Sequence, residues 1–255
     1  MRVIKVGGRA QGDRKLMRLV KEAFIRSSGR ICIVHGGGDE VSSLQTQLGG
    51  NARFAEGRRI TGPDDLRILR MVLSGLVNKR LVNAFLREGI PTIGLSGEDG
   101  ALIRARRTSD ESLGAVGVPE EVNAKLLEMI FSSHYMPVIS PVGYDQSNAD
   151  PGVLNINGDD AAAAIAAGVK AKDLLFVSDV SGVIADDGET FSSLDSGEIT
   201  RLTKTGTVRG GMAAKLDAAQ TALAGGVTTV RICDMEGIMD ETRGTKITNS
   251  VSETK

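Results

Sequence analysis

The sequence predicts an α/β fold in which a mainly parallel sheet is covered by helices on both faces. Two observations carry that prediction. Short apolar runs alternate with longer segments of helical period along all 255 residues, and such alternation implies right-handed crossovers between parallel strands. Several of the short runs are apolar almost throughout, as strands covered on both faces are.

The first strand, over 3–6, runs into the glycine pair Gly7-Gly8, and a helix follows over 13–28. A second strand over 31–34 ends in His35-Gly36-Gly37-Gly38 and opens a helix over 38–48. The stretch 51–62 is polar and reads as a hairpin or loop. Pro63 then suits a first helical turn, with Asp64 and Asp65 where the helix dipole favours acids. Leu66, Leu69, Val72, Leu73, Leu76, Val77, Leu81, Phe85 and Leu86 recur at three- and four-residue spacing, which predicts one helix over 63–88. A helix of that length can also carry a subunit interface. Strands over 91–95, 136–140, 174–178 and 229–233 and helices over 119–133, 158–168 and 211–225 complete the pattern. The polar segments 98–112, 145–152 and 185–197 read as loops and hairpins. The result is one domain over 1–255, divided into two lobes near residue 170 without any linker composition to mark the division.

Composition narrows the function classes. Lys plus Arg number 31 against 32 Asp plus Glu, a formal net charge of -1, so nothing pulls the chain toward nucleic acid or an anionic membrane. Trp is absent and aromatics are 3%, which leaves few platforms for base stacking. Cys32 and Cys233 sit in apolar strand-like runs and read as buried reduced thiols. With only two His and no Cys/His cluster at ligand spacing, no metal site is expected. The segment 1–6 is too short and too soon interrupted for a signal peptide, and no apolar run reaches the roughly 18 residues of a membrane helix. A soluble cytoplasmic protein is the expectation.

The chemistry-bearing residues cluster at strand ends and helix starts. Lys5-Val6-Gly7-Gly8 closes the first strand, and ligands of open parallel sheets bind beyond the carboxyl ends of strands. An ammonium with open backbone N–H groups above it favours phosphate, although a structural turn would use the same residues. His35-Gly36-Gly37-Gly38 removes every Cβ from a strand-to-helix turn, so backbone can approach a ligand closely. In Glu56-Gly57-Arg58-Arg59-Ile60-Thr61 one guanidinium could clamp a carboxylate bidentately; a solvated basic loop has the same spacing. Leu154-Asn155-Ile156-Asn157-Gly158-Asp159-Asp160 opens an alanine-rich helix with more polar groups than a cap requires. Ser178-Asp179-Val180-Ser181-Gly182-Val183 follows an apolar strand, where a nucleotide could rest. Gly210-Gly211-Met212-Ala213-Ala214-Lys215 opens a helix with Lys215 in its second turn. There is no G-x-x-x-x-G-K-[ST] loop, no G-x-G-x-x-G after the first strand and no G-x-S-x-G elbow, which disfavours P-loop, dinucleotide and Ser-His-Asp readings.

Taken together and in this order, from Lys5-Val6-Gly7-Gly8 to Gly244-Thr245-Lys246-Ile247, these motifs resemble the amino acid kinase family. Within it they are most similar to the branch that phosphorylates N-acetyl-L-glutamate in arginine biosynthesis. The resemblance implies a three-layer αβα sandwich, with the lobe over 1–170 binding the acyl-amino acid and the lobe over 171–255 binding ATP with Mg²⁺ held mainly through the phosphates. It assigns Lys5 and Lys215 to the transferring phosphoryl group, Asp159 to orienting both lysines, and Gly8 to a backbone donor at the phosphate. Gly37, Gly38, Arg59 and Asn155 would hold the acyl-amino acid, with Arg59 on its α-carboxylate. Gly7, Gly36, Asp179, Val180, Ser181, Gly182, Val183, Val208, Arg209, Gly210 and Gly211 would meet the nucleotide.

A sister group of the same family phosphorylates aminoadipate or glutamate attached to an acidic carrier protein. Gly75 to Arg80 and Ile93 to Gly100 resemble that group, and Arg104-Ala105-Arg106-Arg107 could face such a carrier. Leu113-Gly114-Ala115-Val116-Gly117 resembles the free-acetylglutamate branch instead, which is the favoured reading. Members inhibited by arginine carry an additional N-terminal helix that is missing here, so the resemblance implies an arginine-insensitive homodimer, joined through the 63–88 helix. A nucleotide-binding regulator that kept the fold and lost turnover is the alternative from another class; the intact Lys5, Asp159 and Lys215 set argues against it.

Overall fold

The computed structural model describes residues 1–55, 57–147, 152–185 and 187–249. Glu56 and parts of the polar segments expected over 145–152 and 185–197 lie outside the described residues. The strands are β1 (Arg2–Val6), β2 (Ile31–His35), β3 (Phe54–Ala55), β4 (Arg58–Arg59), β5 (Thr92–Gly97), β6 (Ile103–Arg107), β7 (Val116–Val122), β8 (Met136–Asp145), β9 (Val153–Ile156), β10 (Asp173–Val177), β11 (Ser193–Leu194), β12 (Thr229–Cys233) and β13 (Thr245–Ile247). The helices are α1 (Arg14–Arg26), α2 (Gly38–Gln47), α3 (Pro63–Arg70), α4 (Asn78–Arg87), α5 (Ala124–Ser132), α6 (Gly158–Gly168), α7 (Ser196–Thr205) and α8 (Gly210–Ala224).

One sheet runs in the order β11-β13-β12-β10-β1-β2-β8-β6-β7-β9, with β5 also on β8. Its centre, β12-β10-β1-β2-β8-β5, is parallel. Antiparallel pairs lie toward the margins: β12 with β13, β6 with β7, and β8 with β9. Every residue of β2 is buried, and Val3, Ile4 and Val6 of β1 are inaccessible, as the apolar runs required. Helices cover both faces, giving the expected αβα sandwich. α6 packs on α8, on β1 and on β10; α4 packs on α1 and lies against β5 and β8. Alanine in α6 (Ala161, Ala162, Ala163 and Ala166 are buried) keeps that helix close to the sheet.

The sheet reverses direction at β1: the chain goes from β1 to its neighbour β2, and β10 later adds on β1's other side. In open parallel sheets such a switch point opens a crevice at the carboxyl ends of the strands. The loops after β1, β2 and β10 all emerge there.

Three expectations need correction. The helix expected over 119–133 begins only at Ala124, where the Asn123 side chain accepts the Leu126 N–H; Pro119, Glu120 and Glu121 belong to strand β7. The segment 98–112 contains strand β6, whose alternating burial was hidden by its arginines. The 63–88 helix is continuous but not uniform, since Met71–Val77 is π-helical between α3 and α4. Both cysteines are free and buried, and burial pushes their thiols up, Cys233 to about 11.

Candidate active site

β1 carries Lys5 to the crevice, α6 presents Asp159 in its first turn and α8 presents Lys215 in its second. Lys5 Nζ lies 2.8 Å from Asp159 Oδ1, and Lys215 Nζ lies 3.2 and 3.1 Å from Oδ1 and Oδ2. Asp159 and Lys215 are 6% and 8% exposed, so the pairing takes place largely out of water. Burial alone would raise the Asp159 carboxyl, but the two ammonium groups prevail and hold it below the usual carboxylate range. Lys215 shifts downward, through burial and the nearby Lys5 charge, against the pull of Asp159. The Phe176 ring on β10 lies under the Lys215 ammonium at 5.2 Å. Gly158 makes room for Lys5: a Cβ there would sit 3.3 Å from Lys5 Cε.

Asp159 does not cap its helix. Asn157 is the cap, its Oδ1 accepting the Asp159 N–H at 2.8 Å. The carboxylate is thereby left wholly to the lysines.

The two glycine loops meet above this cluster. A Cβ on Gly8 would lie 3.9 Å from Gly37 Cα, and α2 starts directly at Gly38 with Gly37 as its cap. On the β2 side a cavity of about 240 Å³ is lined by Gly36, Gly37, Gly38, Arg59, Asn155 and Gly158, among others. Arg59 is 8% exposed and held from several sides. Its Nη1 donates to Gln45 Oε1 at 2.6 Å, and Nη2 donates to Gly38 O and Ser42 Oγ at 2.8 Å. Its guanidinium also covers the Phe54 ring at 4.7 Å. Among the described residues no carboxylate pairs with it, although burial lowers its pKa and the more distant Asp65 and Asp39 only partly offset this. A buried guanidinium surrounded by neutral acceptors attracts an anion from outside. Arg58, by contrast, pairs with Asp160 at 2.8 Å and closes the β3–β4 hairpin onto α6. At the tip of that hairpin a Cβ on Gly57 would lie 3.4 Å from the Gly210 carbonyl carbon, so the hairpin spans from the cavity to the start of α8. Asn155 donates to Thr61 Oγ1 at 2.9 Å, and Thr61 also exchanges backbone bonds with Leu113 and Ala115.

On the β10 side a second cavity, about 490 Å³, is lined by Val180, Gly182, Val183, Ile184, Gly206, Thr207, Val208, Arg209 and Met212. Between the two lies a smaller space of about 210 Å³ bordered by Gly7, Gly8, Gly38, Ser178 and Asp179. The expected nucleotide residues therefore divide. Val180, Gly182, Val183, Val208 and Arg209 share the large cavity, Gly7 and Asp179 border the small one, and Gly36 faces the Arg59 cavity. Gly210 and Gly211 lie under the hairpin tip, and Ser181 turns its hydroxyl onto Thr190 Oγ1 at 2.8 Å.

Several residues that shape the site had no role of their own in the sequence reading, although Ser178 opens the quoted 178–183 motif. Thr245, inaccessible, accepts the Val183 N–H at 2.8 Å and donates to Phe191 O at 2.7 Å, pinning the 179–183 loop. Gln45 orients Arg59, and Ser178 Oγ is buried beside the small space without a partner among the described residues. Thr245 lies within the last of the quoted motifs; for Gln45, mid-helix, no local signal exists. The basic run on β6 is largely neutralised: Arg106 pairs with Glu120 at 2.8 Å, Arg107 with Asp145 at 3.3 Å and Arg104 with Glu121 at 3.7 Å.

The amino acid kinase family model matches residues 1–234. The chain belongs to that family. An acetylglutamate kinase of Methanopyrus kandleri is 41% identical over 256 residues, covering 96% of this chain and 99% of its own. A solved structure from Streptococcus mutans, the smu.665 protein, superposes with a TM-score of 0.86 at 26% identity, over 97% of this chain and 98% of that one. Carbamate kinase from Giardia lamblia bound to AMP-PNP superposes with a TM-score of 0.72 at 17% identity, over 97% and 98% of the two chains, which shows a common fold. Among the described residues no group of three or more His, Cys, Asp or Glu is placed to hold a metal ion, and no helix is long and apolar enough to cross a membrane.

Proposed function

We propose that the chain transfers the γ-phosphoryl group of ATP to the γ-carboxylate of N-acetyl-L-glutamate, the acetylglutamate kinase reaction of arginine biosynthesis. The observation that carries this reading is the buried Lys5–Asp159–Lys215 cluster between two cavities, one with a carboxylate-seeking Arg59. The relative from Methanopyrus kandleri, similar over nearly its whole length, supports it.

The lobe over 1–170 takes acetylglutamate in the 240 Å³ cavity, with Arg59 on its α-carboxylate and Asn155 beside it. The lobe over 171–255 takes the nucleotide between the 179–183 loop and Val208-Arg209, with the phosphates reaching back past Ser178 to Gly8. The attacking carboxylate is already ionised, so little acid-base work is needed. The problem is charge: two anions must approach, and more charge spreads over the equatorial oxygens of the transferring group. Lys5 and Lys215, held on either side of one carboxylate, and the Gly8 and Gly37 amides are preorganised donors for it. Both Asp159 oxygens are occupied by ammonium groups, so Mg²⁺ accompanying ATP would take its ligands mainly from phosphate oxygens and supply further charge neutralisation.

The free amino acid derivative is favoured over a carrier-bound one because the β6 arginines already face carboxylates of their own sheet. Exposed Met71, Leu76 and Leu86 along the 63–88 helix support a homodimer joined there. ADP release measured with free acetylglutamate and, in parallel, with carrier-bound aminoadipate tests the reading. Turnover with the free substrate alone is expected; turnover with the carrier-bound substrate alone overturns it.

A further inference from the structure

Gln11 lies three residues past Gly8, in the short 3₁₀ turn after the first glycine loop, and is only 3% exposed. Its Nε2 donates to the Gly36 carbonyl at 3.0 Å. The same oxygen contacts His35 Nδ1 at 2.8 Å. A carbonyl can only accept, so Nδ1 carries the proton, and His35 Nε2 accepts from Asn78 Nδ2 at 3.2 Å. Asn78 is itself fixed by donation to Val138 O at 2.9 Å. His35 is inaccessible, and burial lowers its pKa to about 4, so it stays neutral near neutrality.

Both lone pairs of the Gly36 oxygen are thus engaged from inside the protein. The peptide that joins Gly36 to Gly37 is planar and trans, so its N–H points opposite to its C=O. With the carbonyl held inward, the Gly37 N–H is turned outward, at the start of α2 and beside Gly8. Gly37 itself has no room for a side chain: its φ is 151°, and a Cβ would meet Leu73 Cδ2 at 2.7 Å. The direction of this amide is therefore set through its carbonyl.

We propose that Gln11 is a positioning residue that, together with His35, fixes the Gly36–Gly37 peptide so that the Gly37 N–H faces the transferring phosphoryl group. Packing does not account for glutamine here. Its Oε1 is buried without a partner among the described residues, a cost that an apolar side chain of equal length would avoid. What glutamine adds is the donor.

The kinetic arm of the test rests on the phosphotransfer reading; the spectroscopic arm does not. Gln11→Met keeps the length and removes the donor, and Gln11→Glu replaces it with an acceptor facing a carbonyl. Native turnover with ATP and acetylglutamate tests the phosphotransfer reading by itself. Against that reference, Gln11→Met should lower kcat by about 3- to 10-fold, the size of one neutral hydrogen bond, with the acetylglutamate KM within about twofold and the melting temperature nearly unchanged. Gln11→Glu should be worse. In a ¹⁵N-glycine spectrum the Gly37 amide nitrogen, which senses hydrogen bonding at the preceding carbonyl, should shift in Gln11→Met. Native kcat in Gln11→Met, or an unmoved Gly37 resonance, overturns the proposal, and an unmoved resonance does so whether or not the native protein turns over acetylglutamate.

Discussion

Replacing Asp159 with Asn removes one charge and almost no volume. In the native protein that charge lies within 3.2 Å of two ammonium groups, and the helix cap is Asn157, whose bond to the residue-159 N–H survives the change. Loss of one partner from a buried ion pair costs about 3–5 kcal/mol. The cost is relieved when Lys215, already shifted downward by burial and by Lys5, sheds its proton. In a chain of this size the melt should fall by roughly 6–10 °C. Catalysis suffers more, because the variant lacks either the Lys215 charge or its placement; kcat should drop on the order of 10²–10³-fold, with each KM changed only modestly. ATP should also raise the melting temperature more in the variant than in the native protein, because its phosphates supply the missing anion. Steady-state ADP release alongside thermal melts with and without ATP reads all three effects. A folded variant with native kcat would refute the organising role of Asp159 and leave the lysines without an anchor.

Arg59→Ala should raise the acetylglutamate KM by about 10- to 150-fold, the worth of a charge-assisted contact, and leave the ATP KM near native. Arg58→Ala, which frees Asp160 on the hairpin's inner side, should do much less, and equal effects would contradict the assignment. Thr245→Val keeps the shape but strands the Val183 N–H and the Phe191 carbonyl; the ATP KM should rise severalfold while the acetylglutamate KM holds, and the reverse pattern would contradict the pinned loop. Burial lowers the folded pKa of His35 from 6.5 to about 4, so the unfolded chain binds more protons between those values. Stability from neutral His35 is complete above pH about 6.5 and lost as pH falls toward 4, about 3 kcal/mol in all. Denaturant unfolding across that range should show the slope, and a His35→Asn variant should flatten it.

Much of the site was legible because its chemistry lies in contiguous turns. A strand that ends in Lys5-Val6-Gly7-Gly8 and one that ends in His35-Gly36-Gly37-Gly38 must place their glycines at the carboxyl edge once the strands are parallel neighbours. The buried central strands were legible for a similar reason, being apolar on both faces. The margins were not. β6 alternates arginine with buried Ile103 and Ala105, so it reads as a polar loop, and its partner β7 carries Pro119-Glu120-Glu121, which imitates a helix start. Helix α7 was missed because only Ile199 and Leu202 are buried along it, although Asp195 and Glu198 form a capping box at its start. The π-helical Met71–Val77 keeps Val72, Leu73 and Val77 buried but turns Leu76, a member of the expected stripe, outward, and no residue pattern announces that change. The family motif assigned Asp159 to the lysines, but the pairing of its neighbour Asp160 with Arg58 is a matter of helix phase that the sequence does not display.

Hydroxylamine converts an acyl phosphate to a hydroxamate, so including it in the reaction reports whether phosphate has reached a carboxylate. The native protein with ATP, Mg²⁺ and N-acetyl-L-glutamate should form hydroxamate in step with ADP, and both should disappear in Lys5→Ala. ADP release without hydroxamate, or neither product from a folded native protein, would contradict phosphoryl transfer to acetylglutamate.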